Sequence, residues 1–297
     1  MQRMRAELLA DARAMIGEGP IWDVRRQQLI WVDIPAGAIH RLDPLAGPCD
    51  PQPTGQPVGS VGIRADGGLV AALRDGFAII SDGTGDMQLI EVEKSVSSNR
   101  MNDGTCDCRG RFWAGTMAVD HTPRAGTLYR LERTDGAYRA SPEVGGITVA
   151  NGLDWSPDNK LMYYIDSPTQ RIDVFDFDAD EGRLANRRPL VQISESEGLP
   201  DGMTVDGEGH IWVALFYAGK LRRYTPSGRA VMEVDLPVTL VTSCAFGGAK
   251  LDELYVTTAR HRLTPAEATE QTHAGGIFVC RPGPIGRAPF QFAAQGT

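Results

Sequence analysis

The sequence predicts an all-β fold, a six-bladed β-propeller whose four-stranded antiparallel blades surround a central channel. Helical signals are weak, because 34 glycines and 19 prolines are spread along the chain and long runs with a 3.6-residue apolar period are rare. One phrase recurs instead: an apolar strand, a tight turn and a second apolar strand. It occurs six times, and this repetition is the main reason for predicting a ring of blades.

The six copies of this phrase follow one another at nearly regular spacing. They begin at Gly19, Val61, Asn102, Asn151, Asp201 and Ser243. Their tight turns lie near Arg26, Asp66, Arg109, Asp158, Glu208 and Ala249. Successive turns are 40, 43, 49, 50 and 41 residues apart, which fits one four-stranded blade for each copy. A β-sandwich is the best rival architecture, but it would not explain this regular period.

Further segments supply the outer strands of the blades. Apolar and polar residues alternate in five segments, as in half-exposed strands, near Ile39, Gly126, Ile172, Lys220 and Gly275. The apolar phrase from Arg5 to Ile16 could form a short helix, but we interpret it as an edge strand that closes the ring against the last blade. The acidic run from Asp176 to Asp180 lacks the register of a calcium-binding loop and is interpreted as an outer hairpin. We expect residues 1–297 to form a single propeller domain.

Composition restricts the classes of partner and the compartment. The formal charge is −8 and no cluster of Lys and Arg forms a basic stripe, so nucleic acid is not expected as a partner. The chain shows no long apolar segment of the kind that a secretory signal or a membrane span requires. The five scattered cysteines do not resemble a disulfide framework. These features predict a cytoplasmic protein with reduced thiols and no membrane partner.

Polar residues occur at equivalent positions near the start of each innermost strand. These positions hold Glu18, Gly59 or Ser60, Asn102 with Asp103, Asn151, Asp201, and Thr242 or Ser243. Because innermost strands line the channel, the repeat brings these positions together around one opening. Oxygen donors suit a hard divalent cation, and we predict Glu18, Asn151 and Asp201 as its ligands. For any one of them alone, capping a strand end or binding turn backbone would be the favoured role, but the convergence of three favours a metal site.

Several ordered phrases resemble one family nearly from end to end. They include GEGPIW at Gly17, NRMNDGTCD at Asn99, ANGLDWSPD at Ala150 and PDGMTVD at Pro200. With these phrases the chain resembles the SMP-30/gluconolactonase family, also known as the regucalcin and luciferin-regenerating enzyme family. The resemblance implies a six-bladed propeller with one divalent metal ion, held by the residues that match Glu18, Asn151 and Asp201.

The resemblance also implies a reaction and the residues that bind its substrate. The expected reaction is hydrolysis of a sugar lactone to the open-chain acid. A metal would act as Lewis acid, and Asp201 would be both ligand and general base, because a free carboxylate oxygen can accept a proton from the attacking water. Arg100 and Asn102 match residues that hold sugar hydroxyls, and Asp120 stands where animal members carry an acidic residue. Metal contact weakens a carboxylate as a base, so the metal could instead activate the water directly. The sequence leaves both routes open.

Several alternatives remain at this stage. The cation could be calcium or zinc, with magnesium and manganese also suited to the ligands. The sugar lactone could derive from gluconate, galactonate, xylonate or arabinonate. A non-enzymatic calcium-binding regulatory propeller and a metal-dependent esterase or organophosphate hydrolase are the rival functions. Residues 118–126 are predicted to form a surface loop, in which His121 could also touch the substrate.

Overall fold

Six β-sheets surround a central channel in the computed structural model, which describes residues 1–292. This arrangement confirms the predicted six-bladed propeller. Within each blade the strand that follows the channel is the first in sequence, and the next strands lie successively further out. Equivalent positions of the six copies are therefore neighbours in space.

The strands follow the chain in the predicted blade order. Two N-terminal strands, β1 and β2, span Gln2–Arg5 and Glu7–Ala10. Blade one holds β3 to β7, at Gly17–Asp23, Gln28–Asp33, Ala38–Asp43, Gly47–Pro48 and Gln52–Pro53. Blade two holds β8 to β11, at Val58–Ile63, Leu69–Leu73, Gly76–Ile80 and Met87–Glu91. Blade three holds β12 to β15, at Asn99–Cys106, Phe112–Ala118, Gly126–Thr134 and Ala137–Ile147.

The remaining blades complete the ring. Blade four holds β16 to β19, at Ala150–Trp155, Leu161–Asp166, Arg171–Asp178 and Arg183–Gln192. Blade five holds β20 to β23, at Leu199–Val205, Ile211–Phe216, Lys220–Tyr224 and Ala230–Asp235. Blade six holds β24 to β26, at Val241–Gly247, Glu253–Thr258 and Ile277–Cys280. One short helix, α1, spans Pro265–Glu270 between the last two strands, and no helix within residues 1–292 has the length and apolar character needed to cross a membrane.

The ring is closed by the N-terminus. Strand β2 pairs antiparallel with β26 and becomes the outermost strand of blade six, which confirms the predicted edge strand and shows that the alternative helix was wrong. Strand β1 adds a feature that was not predicted, since it pairs parallel with β23 as a fifth strand of blade five. The first ten residues therefore bridge two blades that come last in sequence.

The core lies between neighbouring blades. The five tryptophans, Trp22, Trp31, Trp113, Trp155 and Trp212, are all at most 2% exposed. Trp113 of blade three packs edge-to-face on Trp155 of blade four, with ring centroids 6.2 Å apart. Because large side chains fill the spaces between the sheets, adjacent blades hold their innermost strands in a fixed relation to the channel.

The channel has one open mouth and one covered mouth. At the covered mouth the C-terminal segment after β26 crosses the ends of the innermost strands. Arg287 donates from Nη2 to the Asp154 carboxylate at 3.0 Å and to the Trp155 carbonyl at 2.8 Å. Phe292 is 1% exposed and exchanges backbone hydrogen bonds with blade two. Access to the channel is consequently from the opposite end, where each innermost strand begins.

Candidate active site

Each innermost strand carries a local irregularity near its start, and the predicted site residues occupy it. The pairing register with the second strand shifts between Glu18 and Ile21, Met101 and Gly104, Ala150 and Leu153, and Pro200 and Met203. Blades two and six show the same shift, after Val58 and Val241. A bulge releases residues from the ladder and re-aims their side chains. Five of these bulges each contribute a side chain to one cavity, namely Glu18, Asn102, Asn151, Asp201 and Thr242.

Glycines beside the site residues allow the bulged strands to come close together. A Cβ atom added at Gly152 would lie 2.7 Å from the backbone nitrogen of Met203 and 2.8 Å from the backbone oxygen of Asp201. One added at Gly202 would lie 2.1 Å from Oγ of Ser243. Only glycine therefore allows this approach, which brings Asn151 and Asp201 next to each other.

The three predicted metal ligands lie together in one cavity at the open end of the channel. Glu18, Asn151 and Asp201 line one cavity of about 250 Å³, together with Arg100 and Asn102. Glu18 and Asn151 are 5% exposed and Asp201 is 9% exposed. The structure thus brings together residues that are far apart in sequence, as the repeat predicts.

A hydrogen-bond network orients the amide and guanidinium groups. Arg100 Nη1 donates to Oδ1 of Asn102 at 2.6 Å and to the Met101 carbonyl at 2.9 Å. Asn102 Nδ2 donates to the Ala150 carbonyl at 2.7 Å and lies 3.3 Å from Oδ1 of Asn151. Asn151 Nδ2 in turn donates to Oγ of Ser167 at 2.8 Å. Asn151 is thus held between Asn102 and Ser167.

The carboxylates are buried close to one another. Burial, followed by the charges of Asp201 and Asp103, raises the pKa of Glu18 well above its ordinary value. Burial and the charge of Asp103 do the same to the pKa of Asp201, against the Asn151 amide and the Arg100 charge. Burial raises the pKa of Asp103 to about 6 and lowers the pKa of Arg100 to about 10. A site with this excess of buried negative charge would be stabilised by a cation.

The structure does not bring Asp120 to the cavity. Its side chain is exposed, and its carboxylate accepts hydrogen bonds from the backbone N–H and the hydroxyl of Thr122, at 3.0 and 2.8 Å. The turn after β13 instead places the next residue, His121, on the cavity wall, with φ of 60°. A loop that turns in the left-handed region breaks the strand alternation, so the sequence could not tell which of the two side chains faces inward.

Three cavity residues at the mouth were not identified from the sequence. They are Tyr217 after β21, and His261 and Arg262 after β25. Arg262 contacts both His261 and His121 and lies within hydrogen-bond distance of the Tyr217 hydroxyl. All three follow second strands of their blades and lie outside the repeated starts of the innermost strands, so the repeat gave no signal for them.

A second group of potential metal-binding side chains lies on the first hairpin of blade five. It consists of Asp206, Glu208 and His210. The Arg223 guanidinium already pairs with the carboxylates of Asp206 and Glu208, at 2.7 and 2.6 Å, and Trp212 Nε1 donates to Asp206. In blade three, Asp107 likewise binds an arginine and the tryptophan six residues later. We therefore interpret this group as a repeated hairpin structure, in which arginine supplies the positive charge.

Comparisons with known proteins agree with this architecture. The family model described as "SMP-30/Gluconolactonase/LRE-like region" matches residues 16–260. Human regucalcin is 37% identical, over 99% of this chain and 100% of its own length. YvrE of Bacillus subtilis, provisionally named a sugar lactone lactonase, is 37% identical over 98% of this chain and all of its own. The structure of a calcium-binding regucalcin from Agrobacterium tumefaciens has a TM-score of 0.93 at 26% identity and covers 98% of each chain.

The matched relatives cover nearly the whole chain, and the range of the family model contains the positions predicted to bind the metal and the substrate. They agree with the fold, which was predicted independently from the repeats. The chain therefore belongs to the SMP-30/gluconolactonase/LRE-like family.

Proposed function

We propose that this protein is a metal-dependent lactonase that hydrolyses a sugar lactone to its open-chain acid. The observation that carries the proposal is the meeting of Glu18, Asn151 and Asp201 in one open cavity beside Arg100 and Asn102. The family supports a lactonase-type activity, and the name of YvrE states such an activity for that relative. The aldonolactones, such as gluconolactone, are the proposed substrate class.

The donor set fits one divalent cation. Glu18 and Asp201 would contribute carboxylate oxygens and Asn151 its amide oxygen, which suits calcium and also permits zinc, magnesium or manganese. Burial and neighbouring carboxylates raise the pKa of both carboxyls, and a bound cation would oppose both effects. A bound cation would supply Lewis-acid stabilisation of the oxyanion that develops when water attacks the lactone carbonyl.

Asp201 is the proposed general base. Hydrolysis requires that a proton leave the attacking water, and a carboxylate oxygen at the cavity floor can accept it. Burial and the charge of Asp103 raise the pKa of Asp201 in the metal-free protein, which opposes the lowering of this pKa that contact with a cation would produce. The same proton can then pass to the ring oxygen as the ester bond breaks, so the base is regenerated within the turnover.

Arg100 and Asn102 are proposed to orient the sugar. The Arg100 side chain makes hydrogen bonds to residues 1–292 only through Nη1. Its Nε and Nη2 are therefore available for two neighbouring hydroxyl groups of the substrate. Asn102 fixes the guanidinium through the 2.6 Å hydrogen bond and at the same time contacts Asn151. Hydrogen bonds thereby connect the proposed sugar-binding residues, Arg100 and Asn102, to the proposed metal ligand Asn151.

Replacing Arg100 by lysine should weaken substrate binding more than turnover. Lysine keeps the positive charge beside the carboxylates but lacks the planar pair of donors, so we expect KM to rise about tenfold with a smaller change in kcat. Steady-state rates of acid release from gluconolactone would measure both constants. Arg139→Lys, at an exposed position on β15, is the matched control. A loss confined to kcat would contradict the orienting role.

Metal binding should compete with protons. At a pH below the ordinary carboxylate pKa of about 4, the buried side chains of Glu18 and Asp201 are neutral. Their contribution to the stability of the metal-free fold is then fully present. As pH rises through the raised folded-state pKa values, these groups ionise without a cation and that contribution is lost. The melting temperature of the calcium-loaded protein minus that of the chelated protein should therefore increase from about pH 5.5 to about pH 8. A difference that is constant over this range would contradict the assignment.

The direct test of the function is acid release from several aldonolactones by protein that has been stripped of metal and refilled with single metals. We expect no enzymatic release after stripping and recovery with at least one divalent cation. Binding of calcium without hydrolysis of any lactone would instead support the regulatory function. Hydrolysis of aryl esters or organophosphates in preference to lactones would support the esterase alternative.

A further inference from the structure

Arg262 spans the open mouth of the cavity. It lies on the loop after β25 in blade six, and its Nη2 is 3.2 Å from Nε2 of His121 in blade three, on the opposite side of the ring. Its Nε donates to Nε2 of His261 at 3.1 Å, and its Nη1 lies 3.4 Å from the Tyr217 hydroxyl. All three guanidinium nitrogens are thus held by groups from three different blades.

The contacts of Arg262 fix its direction without neutralising its charge. Guanidinium groups in proteins usually pair with carboxylates or phosphates, which accept two parallel hydrogen bonds. Within residues 1–292, Arg262 forms no ion pair with a carboxylate, and its partners are two imidazoles and a phenol. Burial, followed by the charge of Arg262, lowers the pKa of both His121 and His261.

The buried carboxylates deeper in the cavity do not need Arg262 to neutralise their charge. In the proposed loaded state, a divalent cation balances Glu18 and Asp201, and Arg100 already adds a positive charge beside these two carboxylates. Arg262 would then leave a surplus positive charge at the mouth, held in position above the ligands. Such a preorganised and unpaired cation is suited to an anion that arrives with the substrate.

We propose that Arg262 is a specificity-determining residue that binds an anionic group, a carboxylate or a phosphate, on the part of the lactone remote from the reacting carbonyl. This inference rests on the proposed function. The lactone carbonyl must lie at the cation that Glu18, Asn151 and Asp201 would hold at the floor of the cavity. The far end of the sugar then points to the mouth. The preferred substrate would then be an acidic sugar lactone.

A kinetic comparison of Arg262→Gln with the unchanged protein tests this proposal. The probes are gluconolactone, which is neutral, glucarolactone, which carries a free carboxylate, and phosphogluconolactone, which carries a phosphate. We expect kcat/KM of the unchanged protein to favour at least one anionic lactone about tenfold, and the substitution to remove this preference mainly through KM. The two anionic probes distinguish a carboxylate from a phosphate. Arg139→Gln, an exposed arginine outside the cavity, should keep the preference and controls for net charge.

Binding of the reaction products provides a readout that does not depend on catalysis. By calorimetry with the calcium-loaded protein, glucarate should bind about tenfold more tightly than gluconate, and Arg262→Gln should remove this difference. If the unchanged protein prefers no anionic probe, or if its preference survives the substitution, the role of Arg262 is overturned while lactonase activity stands. If no lactone is hydrolysed but the glucarate preference depends on Arg262, the proposed reaction fails and the anion site is retained.

Discussion

Replacing Asp201 by asparagine is expected to lower kcat about a thousandfold while leaving the fold intact. Asparagine has the same shape and can still offer an oxygen to a cation, but it cannot accept a proton from water. The side chain is 9% exposed and its pKa is raised by burial and by Asp103, so the neutral amide also removes an unfavourable buried charge. The metal-free variant should therefore melt at the same temperature as the unchanged protein or higher.

This opposition between activity and stability distinguishes a functional residue from a structural one. Rates of acid release and thermal unfolding after chelation would be measured on the same preparations. Asp135→Asn, in the exposed hairpin turn between β14 and β15, makes the same charge change and should alter neither property. Turnover of Asp201→Asn within about tenfold of the unchanged enzyme would exclude Asp201 as the base.

Replacing Gly152 by alanine is expected to lower the free energy of unfolding by about 1–3 kcal/mol. The added Cβ atom would meet three backbone atoms of blade five, at 2.7 to 3.0 Å, and none of them can move independently of the strand. Separation of the two bulges would also displace Asn151 from Asp201. We therefore expect turnover to fall as well, by up to about a hundredfold.

Gly145→Ala provides the matched control for this substitution. Gly145 lies on the outer strand β15, and a Cβ atom added there meets nothing within 4 Å. Its free energy of unfolding, measured by urea denaturation of the metal-loaded protein, should change by less than about 0.5 kcal/mol. Equal effects of the two substitutions would show that close approach of the bulges does not require glycine at position 152.

The ring and the centre of its site could be predicted because both follow from repetition. A period of 40 to 50 residues implies equivalent blades, and equivalent blades place Glu18, Asn151 and Asp201 at neighbouring positions. The bulges that turn these side chains inward were not predicted individually. They occur near the start of the innermost strand in all six copies. Equivalent residues therefore remain neighbours, and the site could be predicted without knowledge of the bulges.

The parts that the sequence did not predict lack a periodic signal. The four residues of β1 are mostly exposed, and nothing in them indicates a parallel pairing with a strand more than 200 residues away. The C-terminal cover is irregular and rich in Gly and Pro, so its contacts depend on single residues such as Arg287. His121 lines the cavity in place of Asp120 because of the φ angle of one loop residue.

Closure of the ring by β2 has a consequence for how the molecule reaches its native state during translation. Strand β2 leaves the ribosome before any other strand of blade six, but its partner β26 ends only at Cys280. Blades one to four can form progressively, whereas β2 must wait, unpaired, for the last sheet. Synthesis therefore has to pass Cys280 before the channel, and with it any cation site, can acquire its final geometry.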